Sequence, residues 1–463
     1  MHVKSSLAGA SLLILALAGC AVGPNYKLPT TVQPTAFKEN KDWTPAQPAD
    51  HIDRGAWWSV YADPTLDALI RKVELSNQNL AAAEASYRQA RALTAESRAS
   101  FFPSISASAG ATATSRDQTR YTASLGASWA PDIWGRIRRT VEGDKANAQA
   151  SAADLASAKL SYQAELAANY FTLRALDEQA RLYALNIEGY QRSVDLTNNQ
   201  YKAGVAARAD VITAETQLKN AQAQAADLGV QRAQVEHAMA VLIGLPPSNF
   251  ELPRADGLAS AVPVAPAGLP SELLQRRPDI ASAERSVADA NAQIGVATAA
   301  YFPTLTLSGS EGFASTALDS LFKAGSNVWS FGPSLAETVF DFGGRKARVV
   351  QARANYDRQV ALYRQTVLEA FQGVEDQLAA LRVLEGEATL RNDAAASAKQ
   401  AEQLALNRYR AGQVDFTTVV QAQTTATAAE QSALSVQRQR LLASVSLIEA
   451  LGGGWSVADL PKG

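Results

Sequence analysis

The sequence predicts an α+β membrane protein built from two similar halves, in which amphipathic strands alternate with very long helices. Two observations predict this class: similar residues recur about 200 positions apart, and four segments of strand length alternate between polar and apolar residues. The chain of 463 residues is 47% hydrophobic, which suffices for a large folded body. Its net charge of −2 gives no indication of a nucleic-acid partner.

Few residues of the sequence are suited to enzymatic chemistry. The chain has one cysteine, Cys20, and three scattered histidines, so a disulfide within the chain is excluded and a zinc or copper cluster would lack its usual ligands. The sequence has no P-loop, G-x-S-x-G or H-E-x-x-H motif. We therefore expect no enzyme and no cofactor.

The amino terminus predicts an exported lipoprotein. Lys4 supplies a short basic region, and the apolar run of residues 7–18 is too short to span a bilayer stably. Residues 17–20, Leu-Ala-Gly-Cys, look like a bacterial lipobox, in which the signal peptide 1–19 is removed and Cys20 is acylated. An ordinary signal peptide with an incidental cysteine is the alternative. The lipobox is favoured because the sole cysteine stands at the position that it requires, and two or more acyl chains form a stable anchor.

A tandem duplication explains the order of the elements. Residues 79–103 match residues 279–303 at an offset of 200, and the turn sequence YKAG at 201–204 matches YRAG at 409–412 at an offset of 208. Composition bias could match alanines by chance, but not a Phe-Pro pair together with the tyrosine and glycine of both turns. Each copy is therefore expected to contain the same elements in the same order.

The first repeat, residues 66–244, is expected to be strongly elongated. Its pattern predicts a helix over 66–100, strands within about 103–131, a long helix over about 137–200, a sharp turn at Gly204 and a last helix over 208–243. A helix of about 65 residues is a rod of about 95 Å. No compact domain has that diameter, so we expect a double layer of helices that extends away from the strands.

The second repeat, residues 276–451, is expected to have the same parts. They are a first helix, strands within about 303–338, a long helix over about 346–408, a turn at Gly412 and a last helix over 415–451. Three further segments lie outside the repeats: the proline-rich residues 20–65, the connector 245–275 and the tail 452–463.

The strand segments have the length and pattern of membrane strands. Each has about 9 to 11 residues, the number that crosses a bilayer when a strand is tilted. Apolar residues alternate with serine, threonine and glycine, and the predicted lipid-facing residues are Trp129, Leu305, Leu307 and Trp329. A soluble sheet with one wet face is the alternative. Such a sheet would need a helix on its apolar face, whereas these helices extend away from it.

Four strands cannot span a membrane alone. Their two open edges would leave backbone amide and carbonyl groups unpaired in hydrocarbon, at a cost of several kcal/mol each. Closure therefore requires further copies of the chain, and barrels of eight, twelve or sixteen strands from two, three or four chains all satisfy this requirement. A barrel of twelve strands with polar inner faces would leave an aqueous lumen.

Several longer motifs allow a family comparison. They are CAVGPNY at 20–26, WWSVYADPTLDALI at 57–70, RRPDI at 276–280, AYFPTLTLSG at 300–309, FDFGGRKA at 340–347 and the two Y-x-A-G turns. Together they resemble the TolC family of outer-membrane factors, in its lipoprotein branch of OprM-like and CusC-like efflux proteins. The resemblance implies a homotrimer with a twelve-strand outer-membrane β-barrel and a long α-helical periplasmic barrel. The three segments outside the repeats would build a belt around its middle.

The same resemblance implies the exit duct of a tripartite efflux system in the outer membrane of a Gram-negative bacterium. Such a duct lies in outer-membrane lipid and passes small molecules such as drugs from a periplasmic adaptor. An inner-membrane pump, usually of the resistance-nodulation-division (RND) type, supplies the energy. Two alternatives stay open: the duct of a type I protein secretion system, and a coiled-coil spacer lipoprotein without a pore. A spacer, however, has no use for four strands of membrane length.

The resemblance also implies a gate at the helical tips, where Gly204 and Gly412 form the turns. Asp210 lies where relatives carry an acid, and Tyr409 matches the tyrosine before the second turn. Val414 stands where TolC itself carries an arginine, so that particular link cannot form here. The remaining gate candidates are Arg208, Arg410 and Asp415 as substitutes for that arginine, and Phe416 as an apolar plug. For Asp210 the alternative is an acid favoured only by the helix dipole.

Overall fold

The computed structural model of the protein describes residues 21–32, 34–39, 56–114, 119–255, 257–259, 261–263 and 274–461. The predicted signal peptide and Cys20 lie outside these residues. Helices make up most of the described chain, and two of them are very long. Among the described residues, no helix combines the length and the apolar character needed to cross a membrane.

The elements alternate between helices and strand pairs. The first repeat contains α1 (Pro64–Ser76), α2 (Gln78–Ala99), β1 (Ser104–Ala113), β2 (Thr119–Trp129), α3 (Arg136–Lys202) and α4 (Arg208–Leu242). The second repeat contains α5 (Pro278–Ala299), β3 (Thr304–Ser315), β4 (Asn327–Ala336), α6 (Gly344–Arg410) and α7 (Phe416–Ala450).

The helices of the two repeats have equal lengths. α3 and α6 have 67 residues each, α4 and α7 have 35 each, and α2 and α5 have 22 each. α5 begins 200 positions after α2, at residue 278 against 78, whereas α6 begins 208 positions after α3, at residue 344 against 136. The additional residues therefore lie between the start of β3 and the start of α6. Most of them lengthen the β3–β4 connection, which contains two short 3-10 helices.

The single helix predicted over 66–100 is wrong, because the chain breaks at Asn77. The backbone of Asn77 is extended, and its Oδ1 accepts hydrogen bonds from the amides of Asn79 and Leu80 at 2.9 and 3.0 Å. Its Nδ2 donates to the carbonyl oxygen of Leu242 at 2.8 Å. Asn77 thus caps α2 and ties the break to the end of α4, since asparagine is among the preferred N-cap residues.

The four strands form one antiparallel sheet in the order β1-β2-β3-β4. Paired residues share a face, and the register brings the alternating apolar residues of all four strands to the same face. Trp129 pairs with Leu307, and Leu305 pairs with Leu335. The other face carries serine, threonine and glycine at most positions. The sheet therefore has one apolar and one polar surface.

The main hydrophobic core surrounds the middle of the long helices, where the segments outside the repeats pack against them. Trp57 and Trp58 belong to this core and contact each other edge to face. Trp57 Nε1 donates to Gln163 Oε1 at 3.0 Å, and Trp58 Nε1 donates to Asp67 Oδ1 at 2.8 Å. Both indole N–H groups are thus satisfied, as buried tryptophans require.

Candidate channel and gate

The sheet presents a large apolar surface to its surroundings. Ile105, Trp329, Phe331 and Leu335 on this face are largely exposed in the single chain. β1 and β4 form the two edges, and each pairs with a neighbouring strand on one side only. An apolar face with two open edges suits a bilayer only after the edges pair with other chains.

One charge interrupts the apolar face. Glu311 lies opposite Trp329, and its Oε1 accepts a hydrogen bond from Asn327 Nδ2 at 2.8 Å. This pair lies toward the β3–β4 connection, away from the helices, and Phe313 is the next residue on the same face. Aromatic residues occupy both boundaries of membrane barrels. The position of Glu311 therefore fits the boundary remote from the helices rather than the hydrocarbon centre.

Hydroxyl groups line the opposite face of the sheet. Ser108 Oγ and Ser124 Oγ lie 3.0 Å apart, and Ser310 Oγ and Ser330 Oγ lie 2.9 Å apart. Small hydroxyl side chains are readily hydrated and leave space beside the backbone. A pore lined by such a face can pass water and solutes. On the four described strands, this face carries no acid, base and nucleophile arranged for catalysis.

Two tryptophans mark the junction between sheet and helices. Trp129 Nε1 donates to the carbonyl oxygen of Phe101 at 2.9 Å, and Trp134 Nε1 donates to that of Pro303 at 2.8 Å. The ring of Trp134 stacks on Phe302, with centroids 4.8 Å apart. An apolar ring with a satisfied N–H suits the boundary between hydrocarbon and water.

The first described residues are fixed at this same junction. The amide of Val22 donates to the carbonyl oxygen of Trp134 at 3.0 Å. Arg139 is 4% exposed, and its guanidinium donates to the carbonyl oxygens of Val22 and Gly23 and to Asn25 Oδ1. The chain directly after Cys20 therefore lies at the end of the sheet from which the helices start.

The two helical tips close with the same backbone geometry. Gly204 and Gly412 have φ angles of +74° and +70°, and their amides donate to the carbonyl oxygens of Tyr201 and Tyr409 at 2.9 Å. A side chain at either glycine would meet nothing within 4 Å. Glycine is needed at these turns for its left-handed backbone and not for space.

A small hydrophobic cluster fills the tip. Tyr409, Phe416, Ala214 and Val419 are buried together, and the rings of Tyr409 and Phe416 lie 5.2 Å apart. Within the described residues, the Tyr409 hydroxyl has no hydrogen-bond partner. Burial raises the pKa of this hydroxyl, and the negative charge of Asp210 raises the pKa further. Asp210 therefore lies close enough to act on Tyr409, although α4 and α6 belong to different repeats.

The other gate candidates occupy different surroundings. Arg208, Arg410 and Asp415 are exposed at the tip. In the described ranges, neither Arg208 nor Arg410 forms an ion pair with Asp210, and Asp210 itself is partly exposed. Phe416 is 1% exposed, so its ring packs inside the tip. Burial in the single chain disfavours the predicted role of Phe416 as an apolar plug, and that role stays a prediction.

Sequence reasoning missed a buried ionic cluster in the belt. Asp177 accepts hydrogen bonds from Arg174 and Arg232, at 3.2 and 2.8 Å. The same arginines donate to the carbonyl oxygens of Pro253 and Leu252, respectively. The cluster thus ties the connector between the repeats to α3 and α4. The signal was present in the sequence, since Arg232 interrupts the apolar pattern of α4.

These features together define a class of protein. An amphipathic sheet with open edges, continued by helices of about 100 Å, is the subunit of an outer-membrane channel with a periplasmic extension. The chain belongs to the outer membrane efflux protein family, whose model matches residues 69–245 and 269–453.

Individual relatives agree with this assignment. The probable efflux pump outer membrane protein TtgC of Pseudomonas putida is 31% identical over 98% of this chain and 96% of its own length. The solved structure of the outer-membrane channel OprN is 31% identical and superimposes with a TM-score of 0.86 over 94% of this chain and all of that one. The open state of the Neisseria gonorrhoeae MtrE outer membrane channel is 30% identical, with a TM-score of 0.83 over 95% of this chain and 99% of that one.

The predicted family resemblance, apart from its lipoprotein branch, and the predicted fold class are therefore confirmed. The chain is an outer-membrane efflux channel, and it contributes four strands to a trimeric twelve-strand β-barrel that continues as a long helical barrel. Members of the family are channel proteins and not enzymes. The alternative of a spacer without a pore conflicts with this assignment. The acylation of Cys20 and the gate residues stay predictions.

Proposed function

We propose that the chain is the exit duct through which small molecules pass from a periplasmic adaptor and an RND-type inner-membrane pump to the exterior. The observation that carries this proposal is the continuity of the hydroxyl-lined sheet with helices about 100 Å long, which makes one passage from the membrane deep into the periplasm. The relative TtgC is itself named as an efflux pump protein. Because the sequence has no nucleotide-binding motif, the partners supply the energy.

The membrane is expected to surround the apolar face of the sheet. Leu305, Leu307 and Trp329 then contact acyl chains, and Trp129 lies at the periplasmic boundary beside the junction. This arrangement is supported by the register, which gathers these residues on one face, and by the exposure of that face in the single chain. The serine-rich face then lines the lumen.

The gate is expected at the tip, where Tyr409 of α6 lies within electrostatic reach of Asp210 of α4. A hydrogen bond from this buried hydroxyl to the acid would hold the two repeats together at the tip. Separation of α4 from α6 would then widen the tunnel. The relative MtrE has been solved in a conformation called open, which supports a gated channel.

The acyl anchor is proposed at Cys20, which lies outside the described residues. Support comes from the neighbouring residues: Arg139 holds Val22 and Gly23 at the junction, where the inner surface of the membrane is expected. We expect Cys20→Ser to abolish labelling by radioactive palmitate, whereas Ser5→Ala in the predicted signal peptide leaves labelling unchanged. Undiminished labelling of Cys20→Ser would refute the anchor.

Deletion of the gene, followed by growth on a panel of antibiotics, dyes and metals, tests the proposed function. We expect increased susceptibility to at least one class of compound, restored by the wild-type chain. The set of secreted proteins should stay unchanged. Unaltered susceptibility together with loss of an extracellular protein would instead favour the type I secretion alternative.

A further inference from the structure

A half-open cavity lies between α3 and α7, two helices that pack against each other in the single chain. Its volume is about 420 Å³, which is within the range of pockets that hold small organic molecules. Leu176 and Gln179 of α3 line one wall, and Gln431, Ser435 and Arg438 of α7 line the other. The cavity therefore combines an apolar surface with polar side chains.

The charge of this cavity comes from Arg438. Among the described residues that line the cavity, Arg438 is the only charged one, so no carboxylate of the lining neutralises it. Its Nε is buried without a hydrogen-bond partner in the described chain. A buried N–H group without an acceptor is costly, and a guanidinium forms its strongest hydrogen bonds with anions. The cavity is therefore suited to an anion that accepts a hydrogen bond from Arg438.

Other groups of the lining can add hydrogen bonds and apolar contact. Ser435 Oγ accepts a hydrogen bond from Gln439 Nε2 at 3.2 Å, which leaves the hydroxyl hydrogen of Ser435 available. The side-chain amide of Gln179 is a further donor in the lining. Leu176 and Leu434 supply the apolar surface. A planar guanidinium with donors beside it matches the two oxygens of a carboxylate, and the leucines match an apolar body attached to it.

The cavity and the connector between the repeats lie on opposite sides of the same two helices. An α-helix turns by about 100° per residue, so residues two positions apart point in nearly opposite directions. On α3, Arg174 donates to a carbonyl oxygen of the connector, whereas Leu176 lines the cavity. On α7, Gln437 donates to a carbonyl oxygen of the connector, whereas Ser435 lines the cavity. Both helices thus give the same direction for the opening.

In the proposed duct, this direction is toward the tunnel. The duct needs an open passage, so the connector must lie outside the helical barrel and the cavity must open into it. The counterpart of Arg438 in the first repeat, 208 positions earlier, is Val230. Each chain therefore carries one such arginine at this level, and the trimer carries three around the tunnel.

We propose that this cavity binds an amphiphilic organic anion, a solute with a carboxylate on an apolar body, during its passage through the tunnel. The guanidinium of Arg438 holds the carboxylate, and Ser435 and Gln179 donate further hydrogen bonds to it. Leu176 and Leu434 contact the apolar body. This inference rests on the proposed duct, and it names a chemical class of solute that the tunnel wall favours.

Block of the channel current in planar bilayers by naphthoate tests the site. At pH 7 naphthoate is an anion, since carboxylates are ionised there, whereas naphthylmethanol has the same rings without the charge. We expect naphthoate to halve the wild-type current at a concentration about tenfold lower than naphthylmethanol, because a hydrogen bond to a charged group contributes at least that factor. Arg438→Gln should abolish this difference, and Arg438→Lys, which keeps the charge, should retain part of it.

Two further variants make the test specific. Arg358→Gln is the matched control, because Arg358 is an exposed arginine of α6, and this variant should be blocked like the wild type. Ser435→Leu fills the cavity without changing the charge, and it should weaken the block by naphthoate. Equal block of Arg438→Gln and the wild type would overturn the proposed site and leave the duct intact. Absence of current from both the wild type and Asp210→Ala would refute the proposed duct as well.

Discussion

At the scale of single residues, Tyr409 combines a buried aromatic ring with a hydroxyl that lies within reach of the negative charge of Asp210. Its ring fills the tip cluster beside Phe416, and its hydroxyl is buried without a hydrogen-bond partner among the described residues. A buried hydroxyl without a partner is costly, so a state of the tip in which it gains a hydrogen bond would be favoured by that bond. Asp210 is the charged group whose effect reaches this hydroxyl. Both residues are therefore expected to control the opening of the tip.

Replacement of Asp210 by alanine is expected to increase the conductance of the channel in planar bilayers. The variant removes the carboxylate that we expect to hold α4 near Tyr409 of α6 in the closed state, so the closed tip should lose stability. Asp227→Ala is the control, because Asp227 is an exposed acid farther along α4. Equal conductance of Asp210→Ala and the wild type would assign this acid to the helix dipole alone.

Alkaline pH should open the wild-type channel but not Tyr409→Phe. Burial and the charge of Asp210 raise the pKa of Tyr409 above the ordinary tyrosine value, so the packed tip, which we assign to the closed state, favours the neutral phenol. The neutral phenol stabilises the packed tip fully below pH about 10, the ordinary pKa of tyrosine. This stabilisation is lost as the pH rises through the raised pKa of Tyr409 in the packed tip. Conductance measured between pH 7 and about 11 checks the expectation. The same rise in both proteins would exclude Tyr409 as its cause.

At the scale of elements, the caps and turns determine where the helices begin and end. Asn77 ends one helix and starts the next, and it also reaches α4 through the carbonyl oxygen of Leu242. Asn77→Ala should lower the free energy of unfolding by about 1–2 kcal/mol, because a cap and a buried hydrogen bond are lost. Asn77→Ser keeps a capping oxygen without placing a charge against the Leu242 carbonyl, and should cost less. Chemical denaturation of the detergent-solubilised protein would measure both, and an unchanged midpoint for Asn77→Ala would contradict the capping role.

Replacement of glycine by alanine should lower stability at the tip and raise it within α4. Gly204→Ala places a side chain at a φ of +74° and should destabilise the tip by about 1–2 kcal/mol. Gly229→Ala lies inside α4, where a side chain meets nothing within 4 Å, and should stabilise the helix by about 0.5–1 kcal/mol. Hydrogen exchange of the amides near each site, compared with the wild type, should show lower protection in Gly204→Ala and higher protection in Gly229→Ala. Protection equal to that of the wild type in both variants would contradict these expectations.

Sequence patterns predicted those elements that depend on local periodicity. The alternation of Leu305 and Leu307 with threonines identified a strand, and Gly204 and Gly412 identified the turns. The break at Asn77 was missed because its reason is a hydrogen bond to Leu242, which is remote in sequence. The burial of Phe416 could not be foreseen either, because it depends on how four helices meet at the tip.

At the scale of the whole molecule, the equal length of α3 and α6 limits which insertions into the helices the protein can accept. Both helices start at the sheet and have 67 residues, so the two tips of each subunit stand level at the far end. An insertion of seven residues in α3, matched by seven in α4, would place that tip about 10 Å beyond the other tip of the subunit. If the proposed adaptor and pump bind all six tips of the trimer, they would then reach only three of them. Lengthening is therefore tolerated only when both repeats grow together, whereas the β3–β4 loop on the outside can vary freely.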